Sequence, residues 1–284
     1  MSKFTDFYPA AVATGFPFTG SAEVTGSVDV TGSVSFTYRD TAGSTSAGTW
    51  SAGGNMIIAR SLLAGSGTQT SALGFGGFSP ANTPATEEYN SGTWTGAPSN
   101  MIIARYGLAG AGTQTAALAF GGDSGAQTAA TEEYNSGTWT GAPSNMIIAR
   151  RELAGAGTQA AALGFGGMTP AVQSATEEYN SGTWTAGGNM SIARRYLAGA
   201  GTQTAALAFG GLTGAVSAAT EEYNSGTWSN APSNMIIARS GVAGAGTQTA
   251  ALGFGGTDTA ATAATEEYNS GTWSNAPSNM IIAR

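Results

Sequence analysis

Residues 106–150 read YGLAGAGTQTAALAFGGDSGAQTAATEEYNSGTWTGAPSNMIIAR. Gly, Asn, Ser and Pro interrupt this stretch so often that no run reaches the 10 residues an ordinary helix needs. Leu118 and Phe120 alternate with Ala and Gly, the period of a half-buried strand. Four short extended segments are therefore expected: LAGAG, TAALAF, ATEEYN and SGTW.

The same pattern recurs along the chain. Trp50, Trp94, Trp139, Trp184, Trp228 and Trp273 stand 44 or 45 residues apart, and Phe-Gly-Gly begins at Phe75, Phe120, Phe165, Phe209 and Phe254 with the same step. A period of about 40 to 50 residues with four strands per unit is the signature of propeller blades. The fold class expected is all-β: a propeller of four-stranded blades with five complete repeats of about 45 residues in 46–284. Six blades are favoured and five remain open, because Thr49–Arg60 is a sixth Trp-to-Arg stretch whose upstream part is atypical. GSVSFTYRD (32–40) is the candidate for the missing strands.

Gly-Gly closing the second strand, Tyr134 12 residues later, Trp139 five beyond it, then Met146 and Arg150 resemble the kelch repeat. The resemblance implies the kelch-like form of the propeller. The near-identical copies of TEEYNSGTW and LAGAGTQTAALAFGG also resemble repeat arrays in tail and fibre proteins of marine bacteriophages. That likeness implies a virion structural protein, assembled in the host cytoplasm and carried on an extracellular particle.

Residues 1–45 form a different object. From Thr19 to Phe36 a six-residue motif repeats as TGSAEV, TGSVDV and TGSVSF with strict apolar and polar alternation. Two uses are open: a segment that docks the propeller on other virion proteins within a homo-oligomer, a trimer among the options, or strands that complete the first blade.

Composition removes many functions. The chain of 284 residues has no Cys and no His, which excludes disulfides, thiolate or imidazole metal sites and the Ser-His-Asp and Cys-His catalytic arrangements. The kelch resemblance would admit a copper radical oxidase, but its His ligands and Cys–Tyr crosslink have no counterparts. With 10 basic against 17 acidic residues and a single Lys, no phosphate-tracking surface can be assembled, so nucleic acid is not an expected partner. No apolar run approaches the roughly 20 residues of a membrane span, and residues 1–18 lack a secretory signal pattern. No cofactor and no metal are expected.

Each repeat carries a Glu pair, such as Glu132 and Glu133, and one Arg, such as Arg150. Neighbours on a strand point to opposite faces, so the pair cannot act as acid and base together; Arg–carboxylate contacts within the scaffold are the expectation. GAGTQT (110–115) lacks the Lys of a phosphate loop and reads as a strand–turn element. Differences between copies fall in two places: the loop after Gly-Gly and the pair after Arg. In a four-stranded meander both lie at one end of the disc, which points to Tyr106, Asp123, Arg151, Glu152, Arg195 and Tyr196 as ligand-contacting residues. The expected function is non-enzymatic recognition of a host surface component, a glycan or an outer-membrane molecule. The alternatives are an architectural module without a ligand and a carbohydrate-active enzyme using paired Glu residues.

Overall fold

A computed structural model describes residues 48–284. They form a β-propeller of five blades, each an antiparallel four-stranded meander in chain order. Blade 1 comprises β1 (Ala64–Gly67), β2 (Ser71–Phe75), β3 (Thr86–Asn90) and β4 (Thr93–Gly96). Blade 2 comprises β5 (Ala109–Gly112), β6 (Ala116–Phe120), β7 (Thr131–Asn135) and β8 (Thr138–Gly141). Blades 3, 4 and 5 repeat the arrangement over residues 154–186, 198–230 and 243–275. The docking segment and the extra strands expected of residues 1–45 lie outside the described residues.

The Ala-Gly-Ala-Gly strands are innermost, where blades converge and only small side chains fit. A Cβ at Gly110 would lie 2.8 Å from the carbonyl oxygen of Gly65 and 2.7 Å from the Phe75 ring, so any larger residue would push two blades apart. The outer hairpin turns on Ser136 and Gly137, both with positive φ (42° and 105°), the geometry that suits the twist of a two-residue β-hairpin.

Large side chains hold neighbouring blades together. Phe75 of blade 1 meets Trp139 of blade 2 at 5.1 Å between ring centroids, and Phe120–Trp184, Phe165–Trp228 and Phe209–Trp273 repeat the contact. Each indole N–H also donates to a Thr hydroxyl of the preceding blade, as Trp139 Nε1 does to Thr86 Oγ1 at 2.9 Å. Tyr134 donates its hydroxyl to Glu88 at 2.6 Å. Burial and this bond both raise the Tyr134 pKa, with desolvation the larger cause.

Between blade 5 and blade 1 the pattern changes. The innermost strands of successive blades pack side by side from blade 1 through blade 5, but blade 5 does not pack in this way against blade 1. A Cβ at Gly65 would meet only Leu73 among the described residues, where the equivalent position at Gly110 meets the previous blade. Trp50 instead covers Phe254 of blade 5 at 5.1 Å, and its backbone N–H donates to Ser278 Oγ at 3.3 Å, as the backbone N–H of Trp139 donates to Ser99 Oγ. On the other side Arg60 pairs with Glu87 of blade 1 at 3.1 Å, as Arg105 pairs with Glu132 of blade 2. Residues 48–60 thus occupy, toward both neighbours, the place that the Trp-to-Arg stretch of a blade occupies. They form the outer part of a further sector that holds none of the five complete blades.

Candidate functional site

Arg150 and its counterparts are structural. The Arg105 side chain is fully buried, 3.0 Å from Glu132, and donates to the carbonyls of Ala130 (2.6 Å) and Ala119 (3.3 Å). The same carboxylate accepts the backbone N–H groups of Ile102 and Ile103, at 2.6 and 3.3 Å. One buried ion pair therefore fixes the passage of the chain into the next blade. Burial pulls the Arg105 and Arg150 guanidinium pKa values down to about 10 against the opposing pull of Glu132 and Glu177. The second Glu of four of the five pairs is equally committed, since Glu88, Glu133, Glu178 and Glu222 accept the hydroxyls of Tyr134, Tyr179, Tyr223 and Tyr268.

The Gln of the turn after the innermost strand is a clamp between blades in blades 2 to 5. Gln114 Nε2 donates to the carbonyls of Ala72 and Tyr89 in the preceding blade, at 3.1 and 2.7 Å, and Gln159, Gln203 and Gln248 do the same. Sequence alone places this Gln on a polar outer surface; its invariance among the copies was the available signal.

At the other end, the two variable positions meet. The first residue after Arg bridges the first residue after Gly-Gly in every blade: Ser61 with Phe78, Tyr106 with Asp123, Arg151 with Met168, Arg195 with Leu212, Ser240 with Thr257. The second residue builds a chain of backbone bonds from blade to blade. Gly107 N–H donates to Leu62 O, Glu152 to Gly107, Tyr196 to Glu152 and Gly241 to Tyr196, at 2.6 to 2.9 Å. All five residues have φ between 53° and 64°. Gly107 and Gly241 adopt this left-handed form freely, whereas Leu62, Glu152 and Tyr196 do so at a cost of about 1–2 kcal/mol each.

The six residues singled out from sequence form one connected network. Arg151 Nη1 donates to Tyr106 Oη and to Asp123 Oδ2, both at 2.8 Å. Its Nε lies 3.2 Å from Glu152 Oε1, and Glu152 Oε2 accepts from Arg195 Nη1 at 2.9 Å. The Arg151 guanidinium sits 5.9 Å from the Tyr106 ring centroid and that of Arg195 5.2 Å from the Tyr196 ring, within cation–π range. Burial lowers the Arg151 pKa, but Glu152, Tyr106 and Asp123 outweigh it and hold the group above its usual value. Tyr196 is pushed up to about 12 by desolvation and by its bond to Glu152.

Exposure divides the network. Asp123 and Glu152 are buried, at 7% and 5%, so they orient the two arginines from beneath. Tyr106, Arg151, Arg195 and Tyr196 reach the surface. Phe78 joins them, 43% exposed and 5.9 Å from Tyr106 edge-to-face. Sequence comparison among the copies flagged the loop that carries Phe78 but not the residue. Two clefts of about 490 Å³ lie along the seam beside Trp50.

No protein-family model matches the chain, and no curated protein matches it.

Proposed function

We propose that this chain is a non-enzymatic recognition module, a kelch-like propeller borne on the tail or fibre of a bacteriophage, whose variable end contacts a component of the host surface. One observation carries the recognition part. The polar and aromatic residues at the two variable positions of blades 2 to 4 gather into a single network held on a rigid scaffold, and two of them, Glu152 and Tyr196, occupy strained backbone positions that Gly fills in other copies. Strain that the sequence could shed, but keeps in two residues of one bonded network, supports this reading. Repetition elsewhere is explained by packing: Trp, Tyr, Gln, Arg and both Glu positions have structural bonds in successive blades.

The same bonds argue against the glycosidase alternative, because the first Glu of each pair is spent on Arg and the second, in four of the five pairs, on Tyr. The virion setting rests on the likeness of the repeats to phage arrays.

Labelled protein applied to intact candidate host bacteria tests the proposal. Binding that disappears after periodate oxidation of surface sugars identifies a glycan receptor, and binding that survives oxidation but not protease treatment identifies an outer-membrane protein. Absence of binding across a broad host panel refutes recognition and leaves the architectural reading.

A further inference from the structure

Resting on that reading, we propose that the ligand is a neutral, hydroxyl-rich carbohydrate, bound on the surface formed by Phe78, Tyr106, Arg151, Arg195 and Tyr196. The charges of the network cancel: Arg151 and Arg195 against Asp123 and Glu152. Each arginine is already compensated by a carboxylate at 2.8 or 2.9 Å. An anion approaching either guanidinium would stand within a few ångströms of a like charge held in place beneath it. The acids themselves have only 10% and 2% of their side chains exposed, too little to receive a cation.

What remains accessible is uncharged chemistry. The arginine side chains are 25% and 28% exposed, and Nη2 of each has no acceptor among the described residues. These N–H groups are held in fixed orientation by the carboxylates below, so little ordering is needed when a hydroxyl or carbonyl oxygen accepts from them. Beside them lie the Phe78–Tyr106 pair and Tyr196, rings that can cover the C–H face of a pyranose. Oriented donors beside aromatic faces, with no net charge, suit a sugar without acidic groups.

The network spans only the passages into blades 2, 3 and 4. Blade 1 has Ser61 and Leu62, and blade 5 Ser240 and Gly241, at the same positions, so among the described residues the site is single despite the repeated scaffold.

An array of immobilised oligosaccharides, half built of neutral hexoses and N-acetylhexosamines and half containing uronic or sialic acids, tests this with the full chain at 50 mM and 500 mM NaCl. The expected result is binding to neutral members, changed less than twofold by salt and reduced at least tenfold in Arg195→Ala and in Tyr106→Ala. Binding confined to acidic sugars and suppressed by salt would overturn the neutral-ligand inference while leaving recognition intact. No binding to the array by a protein that still binds cells would overturn the carbohydrate inference alone, and no binding to either would remove the recognition reading with it.

Discussion

Replacing Trp50 by Ala probes how the ring is held between its last and first blades. In a complete blade the indole packs between the Phe of the preceding blade and the Tyr of its own, as Trp139 does with Phe75 and Tyr134, both at 5.1 Å. Trp50 makes the first contact, with Phe254. It is also less buried than Trp139, Trp184, Trp228 and Trp273, which are 5% to 8% exposed. Truncating a fully buried Trp costs about 3–5 kcal/mol, so for the partly buried Trp50 the exchange Trp50→Ala is expected to cost about 2 kcal/mol. For a domain of this size that is a fall in Tm of about 5 °C. Trp184→Ala, at the seam between complete blades, should cost about twice as much. Thermal unfolding followed by Trp fluorescence gives the magnitude, and amide exchange gives the place: protection should fall first in residues 250–254 of blade 5. A Tm within 1 °C of the parent, with blade 5 protection unchanged, would refute closure through residues 48–60.

Three further outcomes follow from the bonding. Arg150→Met strands the buried carboxylate of Glu177 and should cost about 3–5 kcal/mol in urea unfolding; Arg151→Met, partly exposed, should cost less than about 1.5 kcal/mol. Tyr134, Tyr179 and Tyr223 have pKa values raised by burial and by Glu partners, so the folded state keeps protons that the unfolded state releases above pH 10. Stability from these phenols is full below pH 10 and is lost as pH rises beyond it, at up to about 1.4 kcal/mol per pH unit for each group. The lowered pKa values of Arg105 and Arg150 act in the opposite sense between about pH 10 and 12.5, relieving part of the loss. A phenolate absorbance titration should therefore show these tyrosines ionising only with unfolding; ionisation in the native state would contradict the assignment. Tyr196→Gly removes a strained left-handed residue along with its ring, so stability should stay within about 1 kcal/mol of the parent while cell binding is lost.

The architecture was legible in the sequence because repetition writes each packing rule several times. Phe-Gly-Gly, Tyr and Trp at fixed offsets specify one seam between blades, and their recurrence specifies a ring. The end of the disc that carries the variable residues was legible for the same reason, since a meander places its second-to-third loop and its exit at one end. Other features depend on atoms brought from different blades. Gln114 looks like any polar turn residue until its amide is seen to span two carbonyls of the preceding blade. Glu152 and Asp123 read as exposed acids because local sequence carries no record of the arginines that arrive from the next repeat and cover them. Blade number is the least local feature of all: five complete blades are present, and the favoured sixth depends on chain before Gly48, outside the described residues.

The central claim is that the departures from repetition make the binding site. It is tested most directly by erasing them with the protein's own fifth copy as template: Tyr106→Ser, Arg151→Ser, Glu152→Gly, Arg195→Ser, Tyr196→Gly and Asp123→Thr in one chain. Every introduced residue already stands at the matching position of Ser240, Gly241 or Thr257, so the fold has a precedent at each site. The quantity to measure is binding of this variant to host bacteria that bind the parent. A variant that unfolds within a few degrees of the parent and no longer binds is the predicted result. Undiminished binding by the folded variant would contradict the claim and move the site away from this face.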